Sequence, residues 1–191
     1  ASPITRTVTV SDTGIPVITL NGNQIINLQK GDTYTEEGAT ATDAVDDNTT
    51  LTNAIAISGT VNTNINGTYT INYNVSDSTG NAAVTVTRSI IVADTGIPVI
   101  TLIGNQTVNL QKGDTYIEDG ATATDAVDDN TILTNAIVIT GTVNTNTNGT
   151  YTINYNVSDS TGNAAATVIR TIIVSDTGIP VITLIGNQTV N

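Results

Sequence analysis

The chain has 191 residues, a formal net charge of −12, and no His, Cys, Met, Trp or Phe. That charge excludes the basic patches that nucleic acid and anionic membranes require; the missing Cys and His exclude disulfide staples and thiol- or imidazole-ligated zinc or copper. No stretch approaches the roughly 18–20 apolar residues of a membrane helix, and the opening ASPITRTVTV lacks the charged and apolar regions of a signal peptide.

In chain order, TRTVTVSD at 5–12 matches TRSIIVAD at 87–94, so residues 1–11 are expected to be the last strand of a preceding repeat. DTGIPVITL then starts at Asp12 and recurs at Asp94 and Asp176, at intervals of 94 − 12 = 82 and 176 − 94 = 82 residues. Residues 12–93 and 94–175 are therefore two complete copies, differing at 13 of 82 positions, and 176–191 open a following repeat with its first strand or strands. A period this long fits one small domain per copy better than a solenoid coil. Partial copies at both ends point to a longer tandem array.

Inside a copy, β-branched residues dominate and Asn, Asp and Gly supply the turns, which predicts an all-β fold. IPVITL (15–20) reads as a first strand and QIINLQK (24–30) as its continuation. GATATDA (38–44) follows, with Ala39 and Ala41 on one face, and NAIAISGT (53–60) reads as the next strand. GTYTINYNVSD (67–77) alternates, placing Tyr69, Ile71, Tyr73 and Val75 inward. AAVTVTRSIIV (82–92) is the last strand, and Arg88, and Arg170 in the second copy, share the inward parity of its aliphatics. Ile25 and Ile65 become Thr in the second copy, which marks both as solvent-facing. Six or seven short strands in about 82 residues predict a two-sheet sandwich. One Tyr of the 67–77 strand is expected to bond its hydroxyl to nearby backbone.

PVITLxG, GDTYxExGATATDxVDD, GTYTINYNVSDSTGNAA and RxIIV together resemble the immunoglobulin-like repeats found in tandem on bacterial surface proteins and large adhesins. The resemblance implies tandem immunoglobulin-like β-sandwich domains in a linear rod, on the cell surface or otherwise extracellular. It implies a module strung between a cell anchor and a distal domain. The chain departs from the commoner acidic loop VDGD by carrying VDDN at 45–48 and 127–130.

Fourteen of the 17 acidic residues are Asp, and they cluster. If 38–44 and 67–77 are strands B and F of a sandwich, the B–C and F–G loops share one end with the incoming first strand. Asp12, Asp43, Asp46, Asp47 and Asp77 then converge on one pole of the first copy, and Asp94, Asp125, Asp128, Asp129 and Asp159 on that of the second. Crowded carboxylates repel unless a cation neutralises them. Ca²⁺ is the expected cofactor because it takes six to eight oxygen ligands. The same residues also serve as turn formers and solubilising charge.

An enzyme is not expected: there is no His, no Cys and no GxSxG nucleophile elbow. The leading reading is a structural spacer in a long extracellular repeat protein, an adhesin or surface fibre, stiffened by Ca²⁺ at its joints. The partners would be adjacent repeats of the same chain and, through homotypic association, identical fibres. The alternative is a binding module for glycans or for self-association into filaments.

Overall fold

The computed structural model describes residues 3–186. The chain divides into two compact units, Ala1–Thr95 and Gly96–Asn191. The first unit runs β1 (Val17–Leu20), β2 (Ile25–Gln29), β3 (Ala39–Thr42), α1 (Asn48–Asn53), β4 (Ala56–Ser58), β5 (Gly67–Asn74) and β6 (Val86–Ala93). The second repeats the order as β7 (Val99–Leu102), β8 (Thr107–Gln111), β9 (Ala121–Thr124), α2 (Asn130–Asn135), β10 (Val138–Thr140), β11 (Gly149–Asn156) and β12 (Val168–Ser175).

Each unit is a sandwich of unequal sheets. In the first, β1 and β3 form an antiparallel pair, and the facing sheet has the order β2-β6-β5-β4. All pairings in the larger sheet are antiparallel except β2–β6, which is parallel and sets Ile25 beside Ser89 and Gln29 beside Ala93. The expected alternation holds. Ile18, Ala39 and Ala41 from the small sheet meet Ile71, Tyr73, Ile90 and Val92 from the large one, all buried. Small Ala side chains on the small sheet and the fully buried Tyr73 of the large sheet share this core. Ile25 and Ile65 are exposed, as their exchange for Thr predicts.

The segment expected as one strand over 53–60 differs. Residues 48–53 form a short helix, and only 56–58 pair as strand. Asp47 caps the helix: its side chain accepts a hydrogen bond from the Thr50 backbone N–H. Leu51 is its one buried side chain. Thr52 Oγ1 accepts from Ala41 N and donates to Ala41 O, tying the helix to β3. Past β4, Gly59 has φ +118, and a Cβ there would lie 2.3 Å from Thr70 O. Only glycine lets the chain leave β4 so close to β5.

Residues 3–11 and 176–186 form no strand. The strands they match, β6 and β1, are held by β2 and β5 and by β3 within a full unit. Residues 1–2 and 187–191 of the expected flanking strands lie outside the described residues. Among the described residues no helix is long and apolar enough to cross a membrane.

Candidate metal centre

The acidic residues expected to converge on one pole of the first unit separate into two groups. Asp43 and Asp47 are spent on backbone. Asp43 Oδ1 accepts from Val45 N at 2.8 Å, closing the turn after β3, and Asp47 caps α1. Asp12, Asp46 and Asp77 come together, with one carboxylate oxygen of each within 4.8 Å of the others.

Local bonds hold these three in place. Asp77 Oδ1 accepts from Thr79 N, Thr79 Oγ1 and Asn81 N at 2.7–3.0 Å, and Oδ2 accepts from Asn81 Nδ2 at 2.7 Å. Burial pushes the Asp77 carboxyl up, but these bonds outweigh it and hold it below the usual carboxylate value. Asp12 Oδ1 accepts from Gly14 N at 2.8 Å, and Asp46 Oδ1 accepts from Ser78 N at 3.3 Å. The remaining oxygens, Asp12 Oδ2 and Asp46 Oδ2, are buried and have no hydrogen-bond partner. Two orphaned carboxylate oxygens beside a third acid, with no lysine or arginine among the described residues bridging them, are a donor set for a hard cation.

In the second unit Asp125 accepts from Val127 N, Asp129 caps α2, and Asp159 repeats the bonds of Asp77 with Thr161 and Asn163. Asp128 occupies the position of Asp46, and its Oδ2 is likewise buried without a hydrogen-bond partner. Asp94, the sequence counterpart of Asp12, belongs to the first unit, where its Oδ1 accepts from Gln29 Nε2 at 2.7 Å.

The second charged cluster in each unit was half visible in the sequence. Arg88 points inward, as its parity predicts, and is fully buried. Its partner is Glu36, which lies in the connection between β2 and β3. Glu36 Oε1 accepts from Arg88 Nη1, Tyr73 OH and Gly38 N, and Oε2 accepts from Tyr34 OH. Arg88 Nη2 donates to Asn21 O and Gly38 O. The guanidinium lies 5.7 Å from the Tyr73 ring centre. Burial pushes the Glu36 carboxyl up, yet the two phenols, the Gly38 amide and the Arg88 charge hold it below its usual value. Arg170, Glu118, Tyr116 and Tyr155 repeat the cluster. The missed signal was the TYTEEG stretch, where Tyr34 and Glu36 share one parity. Tyr69 supplies the expected backbone bond, donating to Ile65 O at 2.9 Å.

A family model described as "Bacterial surface protein, Ig-like domain" matches residues 18–92 and 100–174. Among solved structures the chain is similar to the crystal structure of the lipoprotein BT2262 from Bacteroides thetaiotaomicron. Sequence identity is 18%, 82% of this chain and 98% of that chain are covered, and the TM-score is 0.36. No curated protein matches.

Proposed function

The chain belongs to the bacterial surface protein Ig-like domain family, and from that membership we propose that its repeats are spacer modules of a long surface protein that carry tension between their ends. The observation that supports this most is the parallel β2–β6 pairing. The chain enters the first unit through β1 and β2 and leaves through β6, and the second unit repeats this with β7, β8 and β12, where β8 and β12 are likewise parallel. Tension between the ends pulls two parallel neighbours in opposite directions, so their ladder bonds load together in shear instead of opening one at a time. Gln29 closes the end of that ladder: its Oε1 accepts from Thr95 N and Thr95 Oγ1, and its Nε2 donates to Asp94.

We also assign Asp12, Asp46 and Asp77 as ligands for Ca²⁺. Three carboxylates supply part of the six to eight oxygens that the ion takes, and the orphaned Asp12 Oδ2 and Asp46 Oδ2 support the assignment. Extracellular modules bind at about 10⁻⁴–10⁻³ M. At ~10 mM ion and ~1 mM affinity the gain is about 1.4 kcal/mol. This steadies the pole without being needed for folding.

Thermal melting in chelator and in millimolar Ca²⁺ tests the assignment, with Asp46→Asn as the control. Wild type melts higher with Ca²⁺. Asp46→Asn loses that response and, in chelator, melts at or above wild type because one repelling charge is gone. Equal wild-type melting in both buffers overturns the assignment.

A second reading, homotypic association, is favoured by Ile57 and Ile139, exposed on the edge strands β4 and β10. Sedimentation over a wide concentration range separates the two: a spacer stays monomeric, and concentration-dependent association supports the second reading.

A further inference from the structure

The chain contains three Asn–Gly pairs, Asn21–Gly22, Asn66–Gly67 and Asn148–Gly149. We propose that Asn66 and Asn148 are sites of spontaneous covalent modification, deamidating through a succinimide, and that Asn21 is protected by the fold.

The step needs no partner but water. The Gly67 backbone nitrogen attacks Asn66 Cγ, and a C–N bond forms as the Cγ–Nδ2 bond breaks. Ammonia leaves with the proton from the Gly67 amide. Water then opens the ring at one of its two carbonyls, leaving aspartate or isoaspartate. The net change is the amide plus water to a carboxylate plus ammonium, with no change of oxidation state.

The surroundings of Asn66 permit this. Asn66 and Gly67 are both exposed, Asn66 just after the Asn62–Ile65 turn and Gly67 as the first residue of β5. Among the described residues no hydrogen bond holds the Asn66 side chain. Around Gly67 the nearest atoms to an added Cβ belong to the Tyr69 ring, 3.8 Å away, and Gly67 pairs with Val92 at the end of the β5–β6 ladder, so the attack needs only that terminal pair to open. Asn148 and Gly149 are equally exposed, with the Tyr151 ring at 3.7 Å.

Asn21 has the same dipeptide in a locked setting. Its Nδ2 donates to Glu37 O and its backbone N–H to Gly38 O, both at 3.0 Å, and its carbonyl accepts from buried Arg88. Gly22 has φ +74, and the Glu37 carboxylate occupies the space a Cβ would take. Turning the Asn21 side chain onto the Gly22 nitrogen breaks the Nδ2 bond. The nearby carboxylate also disfavours the deprotonated amide that attacks. In the second copy the pair is absent, because Ile103 replaces the Asn.

Conversion adds a carboxylate where the chain enters β5 and β11, and the isoaspartyl product adds a backbone atom there. The test incubates the folded chain and a urea-unfolded sample in mildly alkaline buffer and maps peptides by mass. In the folded chain the peptides carrying Asn66 and Asn148 gain the mass of NH replaced by O and split into aspartate and isoaspartate forms, while Asn21 stays intact. In urea all three convert. Gly67→Ala slows conversion at Asn66 and leaves Asn148 unchanged. The proposal is overturned if Asn66 and Asn148 stay intact in the folded chain while converting in urea, or if folded Asn21 converts as fast as they do.

Discussion

Arg88 ties the two sheets of the first sandwich together, as Arg170 does in the second. Arg88 is a fully buried charge that reaches from β6 to Asn21 past β1, and to Glu36 and Gly38 before β3. Removing it takes from Glu36 its only charge partner among the described residues and from the Asn21 and Gly38 carbonyls their guanidinium bond, and breaking a buried pair costs about 3–5 kcal/mol. Arg88→Ala is therefore expected to lower denaturant stability of the first unit by about 3 kcal/mol or more, measured by urea unfolding. The pH dependence has a definite sign. The folded pKa of Glu36 lies below its ordinary 4.5, so its contribution is complete above about pH 4.5 and is lost as pH falls through the folded value. Melting temperature should drop on acidification below that point, and the drop should shrink in the double variant Glu36→Gln, Glu118→Gln. The inward parity of Arg88 was legible in the sequence, but Glu36 was not. The two lie 52 positions apart, and only the fold of the 30–38 connection brings them together.

At the scale of elements, alternation exposed the long strands because one face of each packs on the facing sheet. The helices escaped. NTTLTN is rich in Thr and has a single apolar residue, so neither propensity nor periodicity marks it. Its warrants are tertiary: the Asp47 cap, burial of Leu51, and the Thr52 bonds to β3. Asp47→Ala should cost about 1 kcal/mol. Thr52→Val should cost more than an exposed Thr would, because it leaves the Ala41 N–H of a buried residue without its acceptor. Both are read by thermal melting. Misplacing the helix also blurred the acidic loop. Asp47, counted among the expected ligands, caps the helix instead, and the carboxylates that meet are Asp12, Asp46 and Asp77. The convergence of loops on one pole was legible from sandwich connectivity. Which oxygens are free to bind a cation was not, because that depends on individual turn bonds.

For the molecule as a whole, the 82-residue period was plain from near-identical copies, and each copy folds on its own core. Two nearly identical units predict two nearly identical responses to tension. Gln29→Ala opens the clamp at the end of the β2–β6 ladder in one unit only, so it should lower the breaking force of that unit and leave the other unchanged. Pulling the chain from its two ends in a single-molecule instrument is the most direct measurement of the spacer role. The shear geometry predicts two separate force peaks of similar height, each releasing about 82 residues, on the order of 290 Å of chain at ~3.6 Å per residue. Smooth extension at low force, with no peaks, would contradict it.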